Sequence, residues 1–170
     1  FELDSVTTYI SETHSYFASG TLVWSLGPHW SAGADGSASA STYSNYDLNA
    51  GLSPAIEFNV FPYSQSTRRQ LTFKYSAGLQ FANYTDTTIF GKTRETLARH
   101  QLAVSLDFKQ PWGEAGISLS GSQYLHDLSK VNAGIFGSVS VSIIRGLRFN
   151  VGGSYNIVRD QLALPAGGAT

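Results

Sequence analysis

Four histidines are the residues of this chain best able to move a proton near neutral pH: His14, His29, His100 and His126. In "YLHDLSK", His126 stands beside Asp127 and close to Ser129, the residue types of a hydrolytic triad. A base has to reach its nucleophile within about 2.6–3.2 Å. Successive residues of a strand point to opposite faces, so His126 and Asp127 meet only where the loop bends. No G-x-S-x-G elbow is present. A polar loop start is therefore the favoured reading of these residues. His29 follows proline in a turn, His14 and His100 fall near strand ends, and no pair has the spacing of a metal site. The chain has no cysteine, which excludes disulfides, thiolate ligands and a cysteine nucleophile. A net charge of −1 makes no electrostatic case for nucleic acid. No catalytic residue, metal ligand or cofactor is expected.

The elements that position these residues are strands. Eight segments alternate apolar and polar residues: 12–25, 30–42, 47–60, 70–84, two within 101–122, 131–144 and 147–158. In "QLAVSLDFKQPWGEAGISLSGS", Leu102, Val104, Leu106 and Phe108 alternate with Gln101, Ala103, Ser105 and Asp107, and the pattern resumes after the turn. The opposite faces are small and polar, mostly Ser, Gly, Asn, Gln and Thr. "KTRETLARH" (92–100) is the only helix-like stretch, and it could equally open a strand. Turn-rich connections alternate between two ends. One set is 26–29, 61–69, 110–113 and 145–146. The other is 43–45, 85–97, 125–130 and the tail from Arg159, and it is longer on balance. One domain over 1–170 is expected, with no linker.

Alternation alone leaves two architectures open. One is a soluble sandwich or ligand-binding barrel with an apolar interior. The other is a transmembrane barrel with an apolar exterior. Strands of about a dozen residues are long against a mean of about 5–6 and suit a tilted membrane-spanning strand of about 9–11. Charged residues make up only 14% of the chain, against roughly 25% in a soluble domain. Aromatics gather at strand ends: Trp24, Trp30, Tyr63 and Trp112 near one set of turns, Tyr16, Tyr43, Tyr84 and Tyr124 near the other. Two aromatic girdles around an aliphatic band is the outer-membrane barrel pattern. Apolar runs of only about three residues exclude a membrane-spanning helix. The expected fold is an all-β, antiparallel, up-and-down transmembrane β-barrel with about eight strands in this chain.

A sheet in hydrocarbon has to close. "FELDSV" reads as the end of an earlier strand, it contains no signal peptide, and "DQLALPAGGAT" reads as a loop. The strands are therefore expected to be part of a larger barrel of about twelve. Asp35, Glu57, Lys74, Asp107, Lys109 and Arg148 would line its lumen. If Tyr84 pairs with Leu97, Lys74 falls opposite Asp107. A similar register puts Glu57 beside Lys74, and Lys109 faces Glu114 across the "QPWG" turn. A neutralised ladder is the favoured reading of these charges, ahead of a constriction with a transverse field. Arg68 and Arg69 read as a solvated turn at the membrane boundary.

"FPYSQSTRRQL", "TIFGKTRETL", "LDFKQPWGEAGISLSGSQYLHDLSK" and "GSYNIVRDQLALPAGGAT" resemble a poorly characterised family of bacterial outer-membrane barrel proteins with a periplasmic amino-terminal domain. The resemblance covers nearly the whole chain and implies a location in the outer membrane of a Gram-negative cell. It supplies no catalytic or ligand residues. The expected partners are the lipid bilayer, lipopolysaccharide, and periplasmic or outer-membrane proteins. The expected role is a porin-like pore or transport component for small polar solutes or a secreted chain. The alternative is a non-conducting structural or assembly barrel.

Overall fold

The computed structural model describes residues 13–166; the expected strand start at Glu12, "FELDSV" and the last four residues lie outside them. Eight strands run in chain order: β1 (Ser15–Ser25), β2 (Trp30–Ser41), β3 (Tyr46–Asn59), β4 (Arg69–Tyr84), β5 (Arg94–Gln110), β6 (Gly113–Tyr124), β7 (Asp127–Ile144) and β8 (Leu147–Val158). They form one antiparallel sheet in which every strand pairs with its neighbours in sequence. The only helical element among the described residues is a single 3₁₀ turn, Tyr63–Gln65. Among the described residues the sheet does not close on itself: β1 and β8 are its two edges.

The period-2 pattern decides which residues share a face. Leu22, Ala34, Pro54, Ala77, Leu102, Gly121 and Ile135 lie on one side, and registered pairs carry the parity from strand to strand. "KTRETLARH" opens β5 and is not helical. "LHDLSK" is mostly strand: a tight turn at Leu125–His126 brings Tyr124 opposite Asp127, and residues 128–130 bulge out before Gln123 meets Val131. The loops at the two ends consequently match in length. The longest at each end are 60–68 and 85–93, so the second end is the longer only through the tail from Arg159. Arg145–Gly146 is a two-residue hairpin turn, and Gly146 takes the positive φ of 91° that such a turn requires.

The sheet is curled with its polar face inside. The β3–β4 ladder breaks in the middle of β3, where Pro54 lacks the N–H for a ladder bond. Pairing of β3 with β4 runs to Leu52–Leu79 and resumes at Ala55–Ser76. Opposite the gap stands Gly78. A Cβ there would overlap the Leu52 carbonyl oxygen and lie 2.6 Å from the Ser53 Cα. The two strands approach this closely only because position 78 has no side chain.

The buried apolar residues are Ala82, Tyr84, Leu97, Tyr124 and Leu162. The first four belong to the concave, polar face, by parity with Lys74, Arg99 and Ser122. Among the described residues nothing covers the convex face. Leu22, Leu52 and Leu79 are each more than 60% exposed, and Leu102, Val139, Val151 and Tyr155 are exposed with them.

Candidate functional site

The concave face is a polar trough crossed by one bar and roofed at one end. The bar is an ion pair: Lys74 Nζ donates to Asp35 Oδ2 at 2.7 Å, and Thr21 Oγ1 donates to Asp35 Oδ1 at 2.9 Å. Lys74 belongs to β4 and Asp35 to β2, so the contact spans β3. Adjacent strands are about 4.8 Å apart. A lysine that reaches across two spacings shows how strongly the sheet curls toward its polar face here.

Glu57 pairs in register with Lys74, as the alternation implied. Its carboxylate accepts instead from Tyr63 OH at 3.3 Å, and so Tyr63 turns toward the trough and does not join an outward girdle. Lys109 stands opposite Glu114, also as expected. The expected Lys74–Asp107 pair does not form: Lys74 lies opposite Ala103, and Asp107 opposite Gln70. The cause is the 85–93 loop. Thr88 N–H donates to the Lys92 carbonyl and Gly91 N–H to that of Thr88, with Gly91 at a φ of 72°. The loop is thus tighter than expected, β5 starts at Arg94, and the register moves. Asp107 leans over Gly116. Arg148 faces the trough opposite Ser142. The side-chain ion pairs among the described residues are Lys74–Asp35 and Lys92–Glu95, so no continuous ladder of charges is built.

The aromatics divide unequally. Trp24, Trp30, Trp112, Tyr16 and Tyr43 are exposed, and Trp30 packs on Phe58 with centroids 4.8 Å apart. Tyr84 and Tyr124 correct the expected second girdle: both are buried on the concave face. Tyr84 OH donates to Glu95 Oε1 at 2.6 Å and its ring packs on Tyr46. Tyr124 lies beneath the Arg99 guanidinium, 6.0 Å from its carbon.

These rings support the roof. After β8 the chain, residues 159–166, crosses the end of the trough as a strap. Arg159 N–H donates to the Val131 carbonyl, and Asn132 Nδ2 to Asp160 Oδ1 at 3.2 Å. Leu162 is buried against Leu97 and Tyr124. Ile89 N–H reaches the Leu164 carbonyl and Ala166 N–H that of Thr87. Asn45 fastens the far side. Its Nδ2 donates to the Asp86 and Ala163 carbonyls, and its Oδ1 accepts from Asp86 N–H at 2.7 Å. Asn45 has a φ of 59°, a left-handed conformation that asparagine tolerates.

Between bar and strap lies a cavity of about 340 Å³, lined by Thr21, Asp35, Ser37, Asn49, Gln80 and Gln101 among others. Gln80 Nε2 donates to Asn49 Oδ1 at 2.9 Å. Arg99 donates to Ser122 Oγ at 2.6 Å. Nothing in the alternation singled out Asn49, Gln80 or Arg99, although their parity places all three on the polar face.

Three of the histidines lie apart from the cavity, and His100 is among the residues that line it. His29 Nδ1 donates to the Asn59 carbonyl at 2.8 Å. His14 N–H donates to Thr42 Oγ1. His100 lies beside Tyr75. His126 packs on Tyr124, while Ser129 Oγ donates to Asp127 Oδ1 at 2.6 Å. The Ser129 hydroxyl is thus directed at the carboxylate, and no hydrogen bond joins it to His126 among the described residues. No cluster of three metal-ligating side chains occurs among the described residues.

No protein family, curated protein or solved structure matches the chain.

Proposed function

We propose that these strands form part of an outer-membrane β-barrel acting as a pore or transport component for small polar solutes or a secreted chain. One observation carries the reading: the sheet curls with its polar face inside and leaves its aliphatic face bare outside. A soluble barrel with an apolar pocket would curl the other way. Strands of 11–18 residues suffice to span a bilayer at a tilt. The unpaired edges of β1 and β8 have to be satisfied in hydrocarbon, and further strands of a barrel of about twelve do that. Lipid, with lipopolysaccharide in the outer leaflet, covers the convex face. Exposed tryptophans at 24, 30 and 112 mark one interface.

The strap and the Lys74–Asp35 bar support a second reading, a non-conducting barrel that anchors or docks other proteins. Single-channel recording in a planar bilayer separates the two. A pore gives discrete, reproducible steps that fall at least severalfold when Ser105→Cys is labelled with a bulky thiol reagent, because Ser105 faces the trough. An inserted barrel that stays silent removes the pore and leaves the anchoring role.

A further inference from the structure

We infer that the compartment between the Lys74–Asp35 bar and the strap binds an uncharged polyhydroxylated solute, one or two sugar rings in size. The inference rests on the reading of the concave face as a water-filled lumen. A volume of about 340 Å³ lies at the lower end of the range for small-molecule sites.

The lining selects the chemistry. The Asn49–Gln80 bond uses one amide donor and one amide acceptor. It leaves both Asn49 N–H groups, the second Gln80 N–H and the Gln80 carbonyl oxygen for a ligand. A vicinal diol, in which each hydroxyl both donates and accepts, matches that arrangement. Ser37, Ser53 and Ser76 add hydroxyls that also serve either role. Charge in the compartment is largely committed. Asp35 is held by Lys74 and Thr21, so a cation entering here would have to displace Lys74. Arg99 is tied to Ser122, and its remaining donors suit hydroxyl oxygens. Gly51 lines the floor beside Ser37 and lets a ring approach the backbone. No Trp, Tyr or Phe lines the cavity, so binding lacks a broad stacking surface and is weak, as a transported solute requires.

The test is a titration of the folded protein in lauryldimethylamine oxide, a detergent without a sugar head group, with maltose and with sodium gluconate. Binding is read by saturation-transfer NMR, and folding by heat-modifiable gel mobility. Maltose is expected to saturate with a Kd on the order of 1 mM. The double variant Asn49→Ala, Gln80→Ala is expected to weaken it at least tenfold, and Ser142→Ala, at the other end of the trough, to leave it unchanged. Ser37→Leu fills the compartment without touching the amides. It should abolish the signal, and it keeps the test decisive if the double variant misfolds. Three outcomes overturn the site: no saturable maltose binding, binding indifferent to these variants, or gluconate binding more tightly through Arg99. The titration does not require conduction. A silent barrel that binds maltose removes the pore and leaves the site, whereas a conducting barrel that does not bind removes the site alone.

Discussion

Leu102→Arg is expected to destabilise the folded protein in lipid vesicles by about 2–4 kcal/mol, the cost of a cation near the bilayer midplane on a barrel exterior. Leu102 lies near the centre of β5, opposite Tyr75 and Gly121, and its side chain is exposed on the convex face. In the proposed barrel it meets hydrocarbon. Gln101→Arg, one residue away on the trough side, should cost far less. The depth profile adds a second condition. Phe108, near the end of the same strand and face, falls toward the interface, where the same substitution costs about 0–1 kcal/mol. Urea titration of vesicle-embedded protein, followed by tryptophan fluorescence, measures all three. A dry protein core would penalise arginine at 102 and 108 alike, and that result would contradict a lipid-facing surface.

Gly78→Val is expected to prevent assembly of the sheet, or to destabilise it by at least the roughly 1–3 kcal/mol typical of overpacking. The new side chain would have to occupy the space of the Leu52 carbonyl and Ser53. Neither can retreat easily, because Pro54 fixes the backbone of β3 at that point. Gly20→Val in β1 is the matched control. Valine is a better strand former than glycine at either position, but a Cβ at Gly20 meets nothing within 4 Å. Folded yield by heat-modifiable mobility, with the urea midpoint of any folded fraction, distinguishes them. Equal yields for the two variants would show that the close approach at Gly78 does not shape the sheet.

Most of the sheet was legible in the alternation, because period-2 burial is a direct consequence of strand geometry. Eight strands, their order and the two faces followed from it, as did the Glu57–Lys74 and Lys109–Glu114 registers, each fixed by one connection. The Lys74–Asp107 register failed because it depended on how many residues the 85–93 loop consumes. That number is set by backbone bonds around Thr88 and Gly91 which composition does not reveal. Tyr84 and Tyr124 were legible and misread: Tyr84 shares its parity with Lys74 and Gln80, and Tyr124 with Ser118 and Ser120. Their position near strand ends suggested a girdle, but parity places them inside. The Lys74–Asp35 bar was out of reach, since it skips a strand and depends on curvature. The break in the β3–β4 ladder had a visible marker in Pro54, a residue that an interior strand admits only at such a break. The strap carries no sequence signature beyond turn-rich residues, because its partners lie across the whole width of the sheet.

The most direct test of the central claim is a single-cysteine scan of residues 101–108 in bilayers, on a chain with no native cysteine. Each site carries a nitroxide, and collision rates are read with oxygen, which concentrates in lipid, and with a water-soluble nickel chelate. A lipid-facing convex face predicts oxygen-dominated collisions at 102, 104 and 106 and nickel-dominated collisions at 101, 103, 105 and 107. Inverted phases, or uniform nickel access at every position, would contradict it.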